Sequence, residues 1–223
     1  MKTVHPHQLK LLTDRSIMPG YLHSPLLQPD SIRLLQLLPS KGDPKNLRCK
    51  LFEYALRRSD KVTRPYEALS YVWGSEDNPQ SITINNQNFT VGQNLYAALL
   101  HLQDHSISRI IWVDAVCINQ TDGKEKEHQI QLIAEIYAKA SRVIVWLGDA
   151  QGNSKRALEA ICLAGEKSTK LPNTEPFQQD ILQLLQRQWF RRIWVRERSC
   201  TMLVEVTKFR SRFCKKWLQL GMS

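Results

Sequence analysis

The stretch RIIWVDAVCINQ, residues 109–120, sets a carboxylate, a thiol and two amides directly behind an apolar run. Asp114 follows Ile110-Ile111-Trp112-Val113, and Cys117, Asn119 and Gln120 come within six residues of it. A carboxylate buried without a partner is too costly to persist. Asp114 must therefore meet either a bound or reacting group, or backbone N–H groups or a nearby arginine that tie down the following loop. The structural role is the more ordinary one. Asn119 and Gln120 have the chemistry to contact a nucleotide, although such amides more often brace a loop. Cys117 sits between Val116 and Ile118 with no histidine nearby in sequence to activate it, so it reads as a small core residue. Ser75, within Gly74-Ser75-Glu76-Asp77, is a further binding candidate. Ser70 and Tyr71, in ALSYVWG, lack the G-x-S-x-G elbow of a serine hydrolase. There is no Gly-rich phosphate loop and no His/Cys metal spacing. Trp73, Trp112 and Trp146 are expected to pack in the core.

The elements that must position these residues can be read from periodicity. SIRLLQLLPS (31–40) and LRCKLFEYAL (47–56) read as two strands that pair across the turn KGDPKN, with Leu47, Cys49, Leu51 and Glu53 on one face. YEALSYVWG (66–74) is a buried strand ending at Gly74. SITINNQNFTVG (81–92) has the signature of a hairpin turning at its asparagines. Asn94 is placed to cap a helix over 95–105. Residues 108–118 form the next strand. A helix over 125–141 presents Ile130, Ile133, Ala134, Tyr137 and Ala138 as its apolar stripe. At its start, Glu125, Lys126 and Glu127 read as solvated surface, with Gln129 able to reach back to the loop. RVIVWLG (142–148) is an apolar strand, and helices follow over 153–168 and within 175–195.

Strands alternating with helices, and strands apolar on both faces, imply an α/β fold: a mainly parallel sheet flanked by helices, with an N-terminal β-strand addition. Binding residues in such sheets gather at the carboxyl ends of the strands. Here those ends carry Gly74 to Asp77, Asp114 to Gln120, and Gly148-Asp149.

Composition sets the outer bounds. A chain of 223 residues can bury roughly 70% of its unfolded surface. It needs neither disulfide nor metal to fold. No run approaches the ~18 apolar residues of a membrane helix, and the first residues do not resemble a secretory signal. Five cysteines without a CxxC pair point to a reducing compartment, with the cytoplasm as the expected location. The net charge of +10 is concentrated at one end: residues 187–223 hold 10 basic and 2 acidic side chains. These cations do not fall on one helical face and match no nucleic-acid motif. Nucleic-acid binding through the tail is therefore the weakest functional alternative.

Four segments together resemble the fungal heterokaryon-incompatibility (HET) domain. YEALSYVWG (66–74) is similar to its first motif. IWVDAVCINQTDGKEKEHQIQLIAEIYAKASRVIVWLG (111–148) is similar to its long central motif. VGQNLYAALLHL (91–102) stands where the family has its first helix, and WFRRIWV (189–195) resembles the start of the third motif. The resemblance places a HET domain over 31–198, with core motifs at 66–148 and 189–195. A loosely ordered lead-in occupies 1–30 and a basic, atypical tail 199–223. It implies a signalling module in fungal non-self recognition and programmed cell death, with a fold similar to the Toll/interleukin-receptor (TIR) domain, a flavodoxin-like unit. The partners it implies are proteins with similar domains, or self-association, and no membrane.

Some TIR domains cleave NAD with a glutamate in a Trp-x-x-x-Glu pattern, so NAD is a candidate substrate and no cofactor is required. A carboxylate near the ribose stabilises the oxocarbenium character that develops as nicotinamide leaves. Four residues beyond Trp194, however, stands Arg198, whose guanidinium would repel that charge. Glu197 is the candidate catalytic carboxylate, one position off. The family's third motif continues Trp-x-x-Gln-Glu, whereas Trp194 is followed by Val195-Arg196-Glu197-Arg198. This departure leads us to expect a truncation, frame shift or unspliced intron near residue 197.

Overall fold

The computed structural model describes residues 23–40, 42, 46–57, 65–75, 77–149, 157, 175–191 and 202–204. An eight-stranded sheet organises them. In chain order the elements are β1 (Ser31–Leu37), β2 (Arg48–Ala55), β3 (Glu67–Tyr71), β4 (Gln80–Ile84), β5 (Gln87–Val91), α1 (Gln93–Leu102), β6 (Arg109–Trp112), α2 (Asp114–Cys117), α3 (Gly123–Lys139), β7 (Arg142–Trp146), α4 (Glu175–Leu185), a 3-10 turn (Gln188–Arg191) and β8 (Met202–Val204). Across the sheet the order is β5-β4-β2-β1-β6-β3-β7-β8.

The sheet is mixed, which corrects the expectation of a mainly parallel one. β6, β3, β7 and β8 form a parallel block. β1 then runs antiparallel to both β6 and β2. β4 is parallel to β2 and antiparallel to β5. The first two strands pair as expected, but they do not simply add to an edge. β1 lies inside the sheet, and Ile32, Leu34, Leu35 and Leu37 are all but fully buried. Leu47, Cys49 and Leu51 face the core as read, while Glu53 at the far end of the strand is exposed.

The β4–β5 hairpin turns on Asn85 and Asn86, at φ 50° and 66°. A two-residue turn with both φ positive matches strand twist, and asparagine tolerates that region better than other side chains. Asn85 also extends the ladder to β2. Its Nδ2 donates to the Leu51 carbonyl, and its Oδ1 accepts from the Leu51 N–H, both at 3.2 Å.

Helix α3 is rotated from its expected face. Gln129, Leu132 and Ile136 are buried, whereas Ala134 and Ala138 are exposed and Ile130 is 52% exposed. Apolar spacing alone misled because the helix buries a polar residue. Gln129 Nε2 donates to the Ser31 carbonyl at the start of β1 (2.9 Å). That bond fixes which side of α3 meets the sheet. Asp122 caps the helix, accepting from the N–H groups of Lys124 and Glu125.

Two further features hold the parallel block. At its amino end Glu67 is clamped between Arg109 (2.8 Å) and Arg142. On one face Trp189 from the 3-10 turn packs against Ala68, Val143 and Val145. Its indole N–H donates to Ser70 Oγ (3.0 Å), which gives Ser70 a structural role. The expected helix over 153–168 lies outside the described residues, apart from Ala157, which is helical and buried.

Candidate functional site

The carboxyl ends of β3, β6 and β7 lie side by side, because β3 pairs with both neighbours in parallel. Their sequences leave the sheet in three different ways. After β3 the chain passes Val72 and Trp73 to Gly74, at φ 77°. That backbone region favours glycine. After β6 the chain coils at once. Residues 114–117 are one helical turn, not the continuation of a strand over 108–118. After β7 the chain bends at Gly148, at φ 89°.

Asp114 is the hinge between the first two exits. Its Oδ1 accepts from the Ala115 N–H (2.8 Å), and its Oδ2 accepts from the indole Nε1–H of Trp73 (3.1 Å). The carboxylate placed behind an apolar run therefore bonds an N–H at the start of its own helical turn and tethers a tryptophan just beyond the end of the neighbouring strand. Trp73 is not a core residue, contrary to expectation. It is 41% exposed, whereas Trp112 and Trp146 are buried as read. Gln120 Nε2 donates to the main-chain carbonyl of Asp114 (2.9 Å), so it braces the turn. Asn119 Oδ1 accepts from the N–H and hydroxyl of Thr121 (3.2 and 2.8 Å), closing its own loop. Ser75 bonds with Asp77 within its exposed loop. The structure thus joins Asp114 with Gln120, while Ser75 and Asn119 each bond locally. Glu197 and Arg198 lie outside the described residues, as does Glu76.

Asn94 is another residue that sequence reasoning placed wrongly. It makes no helix cap: Gly92 occupies that position, without a side-chain bond. Asn94 instead links two strand exits. Its Nδ2 donates to the Val72 carbonyl beyond β3, and its Oδ1 accepts from the Trp146 indole N–H at the end of β7 (2.8 Å). A signal was present in sequence, since a buried tryptophan usually finds an acceptor for its N–H, although Trp112 at the end of β6 has none among the described residues.

Beneath the site lies a buried ion pair. Arg33 of β1 reaches Glu125 of α3 with two bonds, 2.5 and 2.8 Å, with the side chains only 5% and 12% exposed. Arg33 also donates to the carbonyls of Cys117 (3.2 Å) and Ser24 (2.6 Å). Glu125 accepts in addition from the Asn119 N–H (2.8 Å). Glu125 is thus not the solvated residue its position suggested. Burial pushes its carboxyl upward, but the Arg33 and Asn119 bonds outweigh this and hold it below its ordinary value. Cys117 is fully buried, and burial pushes its thiol up to about 12. It stays protonated and is no nucleophile. Among the described residues, no cluster of His, Cys, Asp and Glu is arranged to hold a metal, and no helix is long and apolar enough to cross a membrane.

The family profile described as "Heterokaryon incompatibility protein (HET)" matches residues 66–197, more than half of the chain. The chain belongs to the HET family. The match begins one residue before β3 and takes in the three strand exits, Asp114, Trp73 and Asn94. The fungal relative "Heterokaryon incompatibility protein 6, OR allele" of Neurospora crassa is 32% identical over 149 residues, covering 61% of this chain and 21% of the relative. The chain thus spans about a fifth of that relative's length. No solved structure matches.

Proposed function

We propose that this HET domain is a signalling module of fungal heterokaryon incompatibility. It binds similar domains, or a second copy of itself, and the assembly triggers programmed cell death. The observation that carries this reading is Trp73. Two residues beyond the end of β3 stands a tryptophan that is 41% exposed yet tethered by its indole N–H to Asp114. Tryptophan is among the residue types enriched at the energetic centres of protein interfaces. The bonds of Asp114, Asn119 and Gln120 suit the same reading, since all three include bonds that shape the loop.

A second reading, NAD cleavage by a TIR-like fold, is favoured by strand order. Counted along the chain, the parallel strands β3, β6, β7 and β8 lie across the sheet as second, first, third, fourth. That is the start of the flavodoxin-like order 2-1-3-4-5. Its switch point falls between β3 and β7, where Asn94 makes its bridge. Against cleavage stands Arg198 at the position where a TIR-like glutamate would be.

Sedimentation of the purified chain, alone and with NAD, tests the proposal. Self-association is expected, weakened by Trp73→Ala by about 2 kcal/mol or more, roughly 30-fold. A strictly monomeric chain that releases nicotinamide from NAD would favour the second reading and overturn the first.

A further inference from the structure

One edge of the sheet is left open. β5 (Gln87–Val91) is the last strand on its side, and among the described residues no strand lies beyond it. Its register on β4 decides which groups point outward. The hairpin turns on two residues, so Ile84 and Gln87 beside the turn form a hydrogen-bonded pair, as do Ile82 with Phe89 and Gln80 with Val91. That alternation turns the main-chain N–H and C=O of Asn88 and Thr90 away from β4. Among the described residues, no main-chain bond reaches them from outside the hairpin. Such a row of groups is a template for another strand, and edges are commonly guarded by a charge, a proline or a bulge. β5 has none of these. No Asp, Glu, Lys or Arg occurs from Asn78 to Gln103, in a chain that is 23% charged.

We propose that β5 pairs antiparallel with β5 of a second copy of this chain, across a twofold axis at Phe89. The register follows from the outward groups. On each side of the axis, Asn88 of one copy stands opposite Thr90 of the other and exchanges both main-chain bonds with it. Phe89 then meets its counterpart as the non-hydrogen-bonded pair, the position where side chains approach closest. Phe89 is half-buried, packed against the core and edge-on to the His23 ring (5.9 Å). Aromatic pairs across neighbouring strands are stabilising. A second copy suits this edge because a strand without charge meets itself without repulsion, and its outward groups are symmetric about Phe89. The edge also runs on to the surface already assigned to assembly. A Cβ on Gly92, the residue after β5, would stand 3.4 Å from the Trp73 carbonyl oxygen. Pairing along a strand of five residues buries too little for lasting association by itself, so the contact draws on that neighbouring surface. The inference rests on the self-association reading and adds to it the place where the copies meet.

Sedimentation of full-chain variants tests it. Asn88 and Thr90 are exposed, so their side chains change without touching the core. Asn88→Lys with Thr90→Lys sets lysines opposite one another across the axis and is expected to weaken self-association at least about tenfold. Asn88→Asp with Thr90→Asp is expected to do the same, and an equimolar mixture of the two double variants to restore association as a heterodimer. In the unaltered chain, the amides of Asn88 and Thr90 are expected to exchange more slowly as protein concentration rises, with those of Phe89 and Val91 unmoved. Self-association that survives both double variants, a mixture no more associated than its components, or outward amides indifferent to concentration overturns the proposal and leaves assembly through Trp73 standing. An unaltered chain that is monomeric throughout overturns it too, and nicotinamide release from NAD in the same sample then decides whether the assembly reading falls with it.

Discussion

Arg33→Ala lowers the stability of the domain by about 3–5 kcal/mol, the usual cost of removing one partner from a buried ion pair. The cause is what the substitution leaves behind. Glu125, 12% exposed, loses both guanidinium bonds and must either hold a poorly compensated buried charge or take up a proton. The carbonyls of Cys117 and Ser24 lose a donor at the same time. The Asn119 N–H still reaches Glu125, but one amide does not replace a guanidinium. Arg57→Ala is the matched control. Arg57 is 54% exposed and bridges Asp30 and Glu135 at the surface. Solvent screening leaves such a pair little net contribution. Urea unfolding of both variants decides the matter. If Arg33→Ala costs no more than Arg57→Ala, the buried pair does not hold the central motif.

A chain cut to begin at residue 66, where the family match begins, does not fold, whereas one beginning at residue 23 does. The shorter chain loses β1 and β2, and β1 lies between β6 and β2 in the middle of the sheet. Ile32, Leu34, Leu35 and Leu37 are each at most 1% exposed. Burying such a side chain contributes roughly 1.5–3 kcal/mol. Four of them together are comparable with the whole stability of a domain, about 5–15 kcal/mol. The cut also removes Arg33 and leaves the edge of β6 unpaired. Cooperative thermal unfolding by circular dichroism distinguishes the two chains, and a cooperative transition in the shorter one would refute the prediction.

Local order in this protein was legible where one physical pattern dominated. The hairpin at Asn85-Asn86, the antiparallel pairing of β1 with β2 and the buried β7 all follow from turn chemistry and apolar runs. The site was legible in part. A carboxylate behind an apolar run demands a partner, and Asp114 has one. Its partner was not readable, because Trp73 lies 41 residues earlier and meets Asp114 only through parallel pairing of β3 with β6. The face of α3 was misread for a related reason. Its orientation is set by Gln129 and Glu125, whose partners on β1 lie more than 90 residues away. Arg33 carried the same signal as Asp114, a charge within an apolar run, and the same question asked of it would have led to Glu125. Asn94 shows the opposite error: a residue suited to a local cap was taken up by a distant tryptophan.

The claim that the HET domain acts through assembly is tested most directly by inducible expression of the chain in a fungal host, with growth and cellular NAD followed together. The account predicts growth arrest with NAD intact, and loss of arrest in Trp73→Ala. Arrest accompanied by NAD depletion, or arrest that persists in Trp73→Ala, would contradict it.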